Sequence, residues 1–254
     1  MSLIISLRSE ILKTKRTAAF YFTLIGAAIV PFMFLFSIVS EGLPGEIKRS
    51  KDPINAMLRI SSEMTGLCIL PLFVVLICTL LPQVEYRNNT WKQVLASPQT
   101  KLNVFAGKFL NIHLMILLFL IASHLFMWVV IVATHFILPG VNILNQPPDL
   151  YAVLADNADA YLSVLAIGAI QFWIGLRSKN FIVPVAIGII CWLTGTVMVL
   201  EYHSAMSPYF PYGFHAIRLS VFKSQLTQVE WTSFGYAVLF LVLGFLDFKR
   251  RRMA

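Results

Sequence analysis

Six long apolar stretches govern what this chain can become. A helix crosses the hydrocarbon core of a bilayer with about 20 mainly apolar residues. Stretches at about 18–40, 64–81, 109–133, 151–176, 181–200 and 231–246 meet that requirement. The fourth and sixth do so by extending backwards, through Tyr151 and Trp231. Hydrophobic residues make up 58% of the chain and charged residues 13%, roughly half the share usual in a soluble domain. Lipid must therefore solvate much of the surface. The expected fold is an all-α integral membrane protein, a six-helix bundle forming one domain over 1–254. Met1 to Arg16 lacks the basic start, short apolar core and small-residue cleavage site of a signal peptide, so the first helix is expected to be retained. Pro31, Pro71 and Pro184 fall inside spans and are expected to kink them.

The basic residues orient the bundle. With the N-terminus in the cytoplasm, the inside receives Arg8, Lys13, Lys15, Arg16, Arg87, Lys92, Lys101, Lys108, Arg177, Lys179, Lys249, Arg250, Arg251 and Arg252. The outside receives Lys48, Arg49, Lys51, Arg59, Arg218 and Lys223. Fourteen against six is a positive-inside bias, which places the protein in the cytoplasmic (inner) membrane with both termini in the cytoplasm. The formal charge of +8 is thus used for orientation, and a nucleic-acid partner is not expected. The second external stretch carries Asp149, Asp156 and Asp159 without any Lys or Arg. These three are candidates for an external mouth that attracts cations, or else ordinary solubilising charges and helix caps.

Several chemistries lack their sequence signatures. There is no phosphate loop: Gly107-Lys108 is followed by Phe109 and has no upstream glycine at the required spacing. No His-Glu-x-x-His zinc helix or Gly-x-Ser-x-Gly elbow occurs. The chain is therefore expected to be no enzyme, to hold no metal or other cofactor, and to leave any ATP to a partner. Cys68, Cys78 and Cys191 read as small buried hydrophobes. His113, His124 and His135 recur every eleven residues along one stripe of the third span. Steps of about 16 Å along a helix prevent any two from sharing one ion. His124 and Gln171 lie deep in spans, where a polar side chain is either glue between helices or the lining of a substrate pathway.

Two segments at the cytoplasmic face carry the functional reading. Leu3, Ile4, Leu7 and Ile11 share one arc of an N-terminal helix, with basic residues elsewhere around it, as in a helix lying on a membrane surface. Ile5 and Leu12 fall on its other side. After the second span, Asn88 or Asn89 can cap a short helix starting near Thr90 and ended by Pro98. That helix would present Trp91, Val94 and Leu95 as a patch flanked by Arg87 and Lys92, or seat Trp91 among lipid headgroups. Thr100 caps the next helix.

This layout resembles the permease subunits of type-2 ATP-binding-cassette exporters along nearly the whole chain. The resemblance is carried by Lys13-Thr14-Lys15-Arg16, by Glu85-Tyr86-Arg87 with Thr90-Trp91-Lys92, Leu95, Ser97-Pro98, Lys101 and Lys108, by Gln171-Phe172-Trp173 with Arg177 to Phe181, and by Ser207 to Pro211. The fourth-to-fifth span pattern is most similar to permeases of lantibiotic-immunity exporters. Asn89 stands where such loops often have Gly. The resemblance implies that Glu85 to Ser97 is a coupling helix, with Glu85, Arg87, Thr90, Trp91, Val94 and Leu95 engaging a separate ATPase subunit. It also implies a second permease subunit, self or sister, and short re-entrant helices over Glu201 to Lys223. The cargo would be an amphipathic peptide, a drug or a lipid-like compound. Rival readings are a membrane enzyme or haem protein using intramembrane histidines, and a non-transporting anchor or sensor. The topology has a direct test. Cysteines placed at Asn55 and Asn145 are expected to react with an impermeant reagent outside intact cells, and one at Gln93 is not. Strong external labelling at Gln93 overturns the six-span arrangement.

Overall fold

In a computed structural model the protein is described over residues 3–250 apart from Arg16, Gly140 and Asn142, with the backbone but not the side chain of Leu95 and Asn145. Arg16, Arg251 and Arg252, counted above for orientation, lie outside the described residues. The described elements are helical, and six helices are long and apolar enough to cross a membrane. The protein is a multi-pass membrane protein. In chain order the helices are α1 (Leu3–Thr14), α2 (Ala18–Glu41), α3 (Gly45–Arg49), α4 (Pro53–Met64), α5 (Leu70–Arg87), α6 (Trp91–Ala96), α7 (Lys101–Ile137), α8 (Leu150–Arg177), α9 (Ile182–Leu200), α10 (Phe214–Ile217) and α11 (Leu226–Arg250). A single π turn, Thr65–Ile69, joins α4 and α5 into one rod, Pro53–Arg87. The second span therefore begins well before residue 64, because α4 continues it without a break.

The prolines act differently from one another. Pro71 has no N–H to give to the carbonyl four residues back, and the helix widens just before it, with the Leu70 N–H bonding the Thr65 carbonyl instead. The strain of the proline is thus released as the π turn. Pro184 lies in the first turn of α9, where an N–H would have no helical partner anyway, so it makes no kink. Helix α2 is a single element through Pro31.

Helix α8 is central. It packs against α5 on one side and α11 on another, while α2 lies along α7. Two close approaches are set by glycine. A Cβ on Gly175 would stand 2.5 Å from the Cys78 carbonyl oxygen and 3.3 Å from Thr79 Cα, so only glycine lets α8 lie this near to α5. A Cβ on Gly107 of α7 would meet Ser6 of α1 at 3.2 Å. Between the helices an aromatic core is built from Phe73 stacked on Phe119 at 4.5 Å and from Phe105 against Phe172 at 5.0 Å.

The ends of the bundle differ. One end gathers α1, α6 and the basic termini of α5, α7, α8 and α11, and is called the basic end below. At the opposite end the segment after α9 turns back into the bundle through two short turns and α10. It buries Tyr212, Phe214, His215 and Ile217 while leaving Tyr202 and Tyr209 exposed. The aromatic residues of this segment are thus divided between core and surface, and only part of the set is placed as an interfacial belt would be.

Candidate functional site

At the basic end the sequence builds its least expected feature from α1. Ser6, Glu10 and Thr14, four residues apart, form a buried polar stripe against α7, while Ile4, Ile5 and Leu12 stay exposed. Leu3 and Ile11 are also exposed, so most of the apolar arc faces outward, as a surface helix on a membrane requires. Gly107 provides the space for this packing. Small polar contacts then register the helix: the Ser6 hydroxyl donates to Gln99 Oε1 at 2.5 Å, and Asn111 Nδ2 donates to the Thr14 hydroxyl at 2.6 Å.

The stripe delivers Glu10 to a four-membered ion cluster. Lys108 Nζ lies 2.8 Å from Glu10 Oε2 and 2.5 Å from Glu85 Oε1. Lys13 Nζ lies 2.7 Å from Glu10 Oε1 and 3.1 Å from the same Glu85 oxygen. Two ammonium groups balance two carboxylates. Lys108 and Glu85 are each about 1% exposed, and a charge removed from water to that degree is tolerated only when it is paired and hydrogen-bonded. Burial opposes the charged form of Glu10, but Lys108 and Lys13 outweigh it and hold the carboxyl below its ordinary range. Burial likewise opposes charge on Lys13, and Glu10 and Glu85 nonetheless hold its pKa above the ordinary value.

The loop between α5 and α7 closes over this cluster. Asn89 has a φ of +53°, a left-handed conformation that asparagine tolerates better than most residues. It fills the place that glycine commonly takes. The Thr90 N–H bonds the Glu85 carbonyl at 3.0 Å, and Asn88 terminates α5 rather than capping α6. Thr100 caps α7, accepting from the Asn103 N–H at 3.2 Å. Trp91 then turns inward. Its ring centroid is 5.3 Å from Lys108 Nζ, 5.4 Å from the ring of Tyr86 and 6.0 Å from that of Phe248 in α11. Further bonds tie the neighbouring helix ends: the Tyr86 hydroxyl donates to the Leu176 carbonyl at 2.7 Å, and Lys101 Nζ donates to the Lys249 carbonyl at 2.9 Å.

This corrects the expectation of an exposed Trp91 patch. Trp91 is 6% exposed and Glu85 is buried, so neither side chain stands open on this face of the bundle. The reason is the unpaired face of Lys108, which an indole covers favourably. Thr90 and Val94 are half-buried, the Leu95 side chain lies outside the described residues, and Arg87, Lys92 and Gln93 are exposed. Residues 6–195 of the chain match a known family, described as ABC-2 family transporter protein. The chain belongs to that family. No curated protein matches it in sequence. The protein is accordingly a membrane permease subunit of an ABC transporter. The matched stretch of the permease contains Glu10, Lys13, Glu85, Trp91 and Lys108 together with helices α2 to α8 and most of α9.

The other candidate residues lie elsewhere in the permease. His124 Nε2 is 2.7 Å from Asn157 Nδ2, and His113 Nδ1 is 2.8 Å from the Tyr161 hydroxyl, so this histidine stripe joins α7 to α8. Gln171 is fully buried facing Gly188. At the opposite end Asp149 caps α8, accepting from the Ala152 N–H at 3.0 Å. Asp156 is paired with Arg218, and Asp159 sits beside Glu230. Arg218 comes from a distant part of the chain, so the stretch that is wholly acidic in sequence is of mixed sign in space.

Removing one partner from a buried ion pair commonly costs about 3–5 kcal/mol, and this sets the test. Lys108→Met leaves two carboxylates facing one lysine. It is expected to release α1 from α7, read as loss of hydrogen-exchange protection in α1. Adding Glu85→Met restores the charge balance through Glu10 and Lys13, and is expected to recover much of that protection. In the unaltered permease, the lowered Glu10 pKa makes a stabilisation that is present above about pH 4.5 and lost as pH falls through the folded value. The raised Lys13 pKa makes one that is present below about pH 10.5 and lost as pH rises through its folded value. Protection of α1 is therefore expected to hold between those limits and to fall outside them. Protection indifferent to Lys108→Met contradicts a role for the ion cluster in holding α1 on α7.

Proposed function

We propose that this permease is the membrane-spanning subunit of an ATP-driven exporter in the cytoplasmic membrane. In this reading its basic end lies in the cytoplasm, and the fourteen-to-six bias of basic residues supports that orientation. Two permease subunits, self or sister, enclose the pathway, and separate ATPase subunits bind and hydrolyse ATP. The chain itself performs no catalysis. The cargo is an amphipathic peptide, drug or lipid-like molecule, and the similarity to lantibiotic-immunity permeases favours a peptide antibiotic.

The observation that carries the reading is the seating of α6. A short helix transmits force only if it cannot tilt independently of the spans. Here the Trp91 indole is wedged between Lys108 of α7, Tyr86 of α5 and Phe248 of α11. Displacing α6 therefore displaces three spans together. The ATPase contact is assigned to the exposed outer side, Arg87, Lys92 and Gln93, while Trp91 holds that side in place. Nucleotide binding then biases the bundle between inward- and outward-facing states through differential contact with this surface.

The two roles separate by mutation. Arg87→Glu with Lys92→Glu reverses charge on the exposed side, and is expected to reduce ATPase co-purification about tenfold or more while leaving the fold unchanged. Trp91→Phe keeps an aromatic wedge and is expected to retain the complex. Trp91→Ala removes the wedge and is expected to uncouple ATP hydrolysis from transport. Full ATPase retention and normal transport in the charge-reversed variant refute the assignment of this surface.

A further inference from the structure

Among the cavities in the far half of the bundle, three bear on one site. The largest is a groove of about 440 Å³ between α7 and α8, with walls that include Leu117, Ile121, Leu125, Trp128 and Leu154. It belongs to two membrane-crossing helices, so the bilayer is what it meets, and its size falls within the range of about 300–1,000 Å³ usual for ligand sites. Among the described residues its strongly polar lining groups are His124 and Asn157, with Tyr161 beside them. Those two also border a small pocket of about 10 Å³ with Ser61, Thr65, Ser123 and Asp156. Asp156 in turn borders an open mouth of about 390 Å³ carrying Asp52, Arg59, Asp149 and Arg218. Groove and pocket thus share His124 and Asn157, and pocket and mouth share Asp156.

The small pocket has bonding capacity that the protein leaves unused. The buried threonines Thr23, Thr79 and Thr134 each donate to the carbonyl four residues earlier. Thr65 is 5% exposed, yet its hydroxyl has no partner among the described residues, nor does that of Ser62 beside it. Thr65 opens the π turn, a distortion that in helices often marks functional sites. Asn157 Nδ2 donates to the Val153 carbonyl at 2.6 Å and faces His124 Nε2 at 2.7 Å. His124 Nε2 must then accept, which puts the ring proton on Nδ1. The pair therefore keeps one donor, at His124 Nδ1, and one acceptor, at Asn157 Oδ1, for another molecule.

We propose that these cavities bind one zwitterionic glycerophospholipid from the surrounding bilayer. One acyl chain lies in the groove. The ester region reaches His124, Asn157 and the Thr65 hydroxyl, and Asn157 is about 10 Å along α8 from its start at Leu150. The headgroup occupies the mouth, where its phosphate meets Arg59 and Arg218 beside their partners Glu63 and Asp156, and its ammonium meets Asp52 and Asp149, which also cap α4 and α8. Charges of both signs favour a zwitterion over a purely anionic headgroup. The site is independent of the export reading, because it is defined by binding and not by transport.

Photolabelling of the whole permease in liposomes tests this. The probe is phosphatidylethanolamine with a diazirine on one acyl chain, compared with phosphatidylglycerol carrying the same chain. The ethanolamine probe is expected to label 117–128 and 153–161 at least fivefold more than the lipid-facing surface of α2. Two variants remove the site differently: His124→Leu with Asn157→Leu takes away the polar pair, and Ala158→Trp fills the groove while keeping that pair. Both are expected to lower labelling there about tenfold with α2 labelling unchanged, which also shows that the fold is retained. Groove labelling no stronger than on α2, or unaltered by Ala158→Trp, overturns the site. Stronger labelling by phosphatidylglycerol overturns the headgroup assignment.

Discussion

A lysine side chain taken almost wholly out of water needs compensation from every side, and the basic end of this permease is arranged around that need. Lys108 receives a carboxylate from α1, a carboxylate from α5 and an aromatic face from α6. None of these three groups is near another in sequence except Glu85 and Trp91. The ammonium therefore holds three otherwise separate elements to α7. Lys13 completes the neutrality without being buried itself to the same degree, since its side chain is about 35% exposed. The inner lysine supplies the cost that makes the geometry specific, and the outer one balances the charge.

A buried ion cluster is weak as a source of net stability, because desolvation offsets most of the Coulombic gain. Its use lies in specifying one arrangement. An apolar cluster would accept several sidings of α1 along α7, whereas a lysine flanked by two carboxylates tolerates few. The same holds for α6. With six residues it is too short to be stable alone, so its position is decided by where Trp91 can cover Lys108. This makes a short surface helix behave as an extension of the spans, which a part transmitting force between subunits requires.

Much of the bundle was legible in the sequence, because hydrophobic run length reports membrane spans almost directly. The turn after α5 was partly legible: Thr100 marks a cap, and Pro98 ends α6. The direction in which α6 faces was not. A tryptophan between charged neighbours in a loop reads as exposed, and only the proximity of Lys108, seventeen positions later, reverses that. The polar stripe of α1 could have been found, since Ser6, Glu10 and Thr14 recur at four-residue spacing, and Gly107 followed by Lys108 offers a small residue beside a charge. The apolar arc on the same helix is the stronger signal and obscured it. Asn89 shows the reverse case, a departure from the usual glycine that keeps the turn because asparagine also accepts positive φ.

The π turn links the two halves of the molecule through one covalent constraint. Pro71 denies a helical bond to the turn before it, and at the resulting widening Thr65 keeps its backbone bonds while its hydroxyl, beside His124 and Asn157, has no partner among the described residues. On the same rod, α5 ends at Glu85 and Arg87. A change in the width or tilt of the π turn would alter the relation between α4 and α5, because the helical bonds there are the ones most easily rearranged. Thr65 and Glu85 thus lie on one continuous helical rod, with the π turn at the Thr65 end.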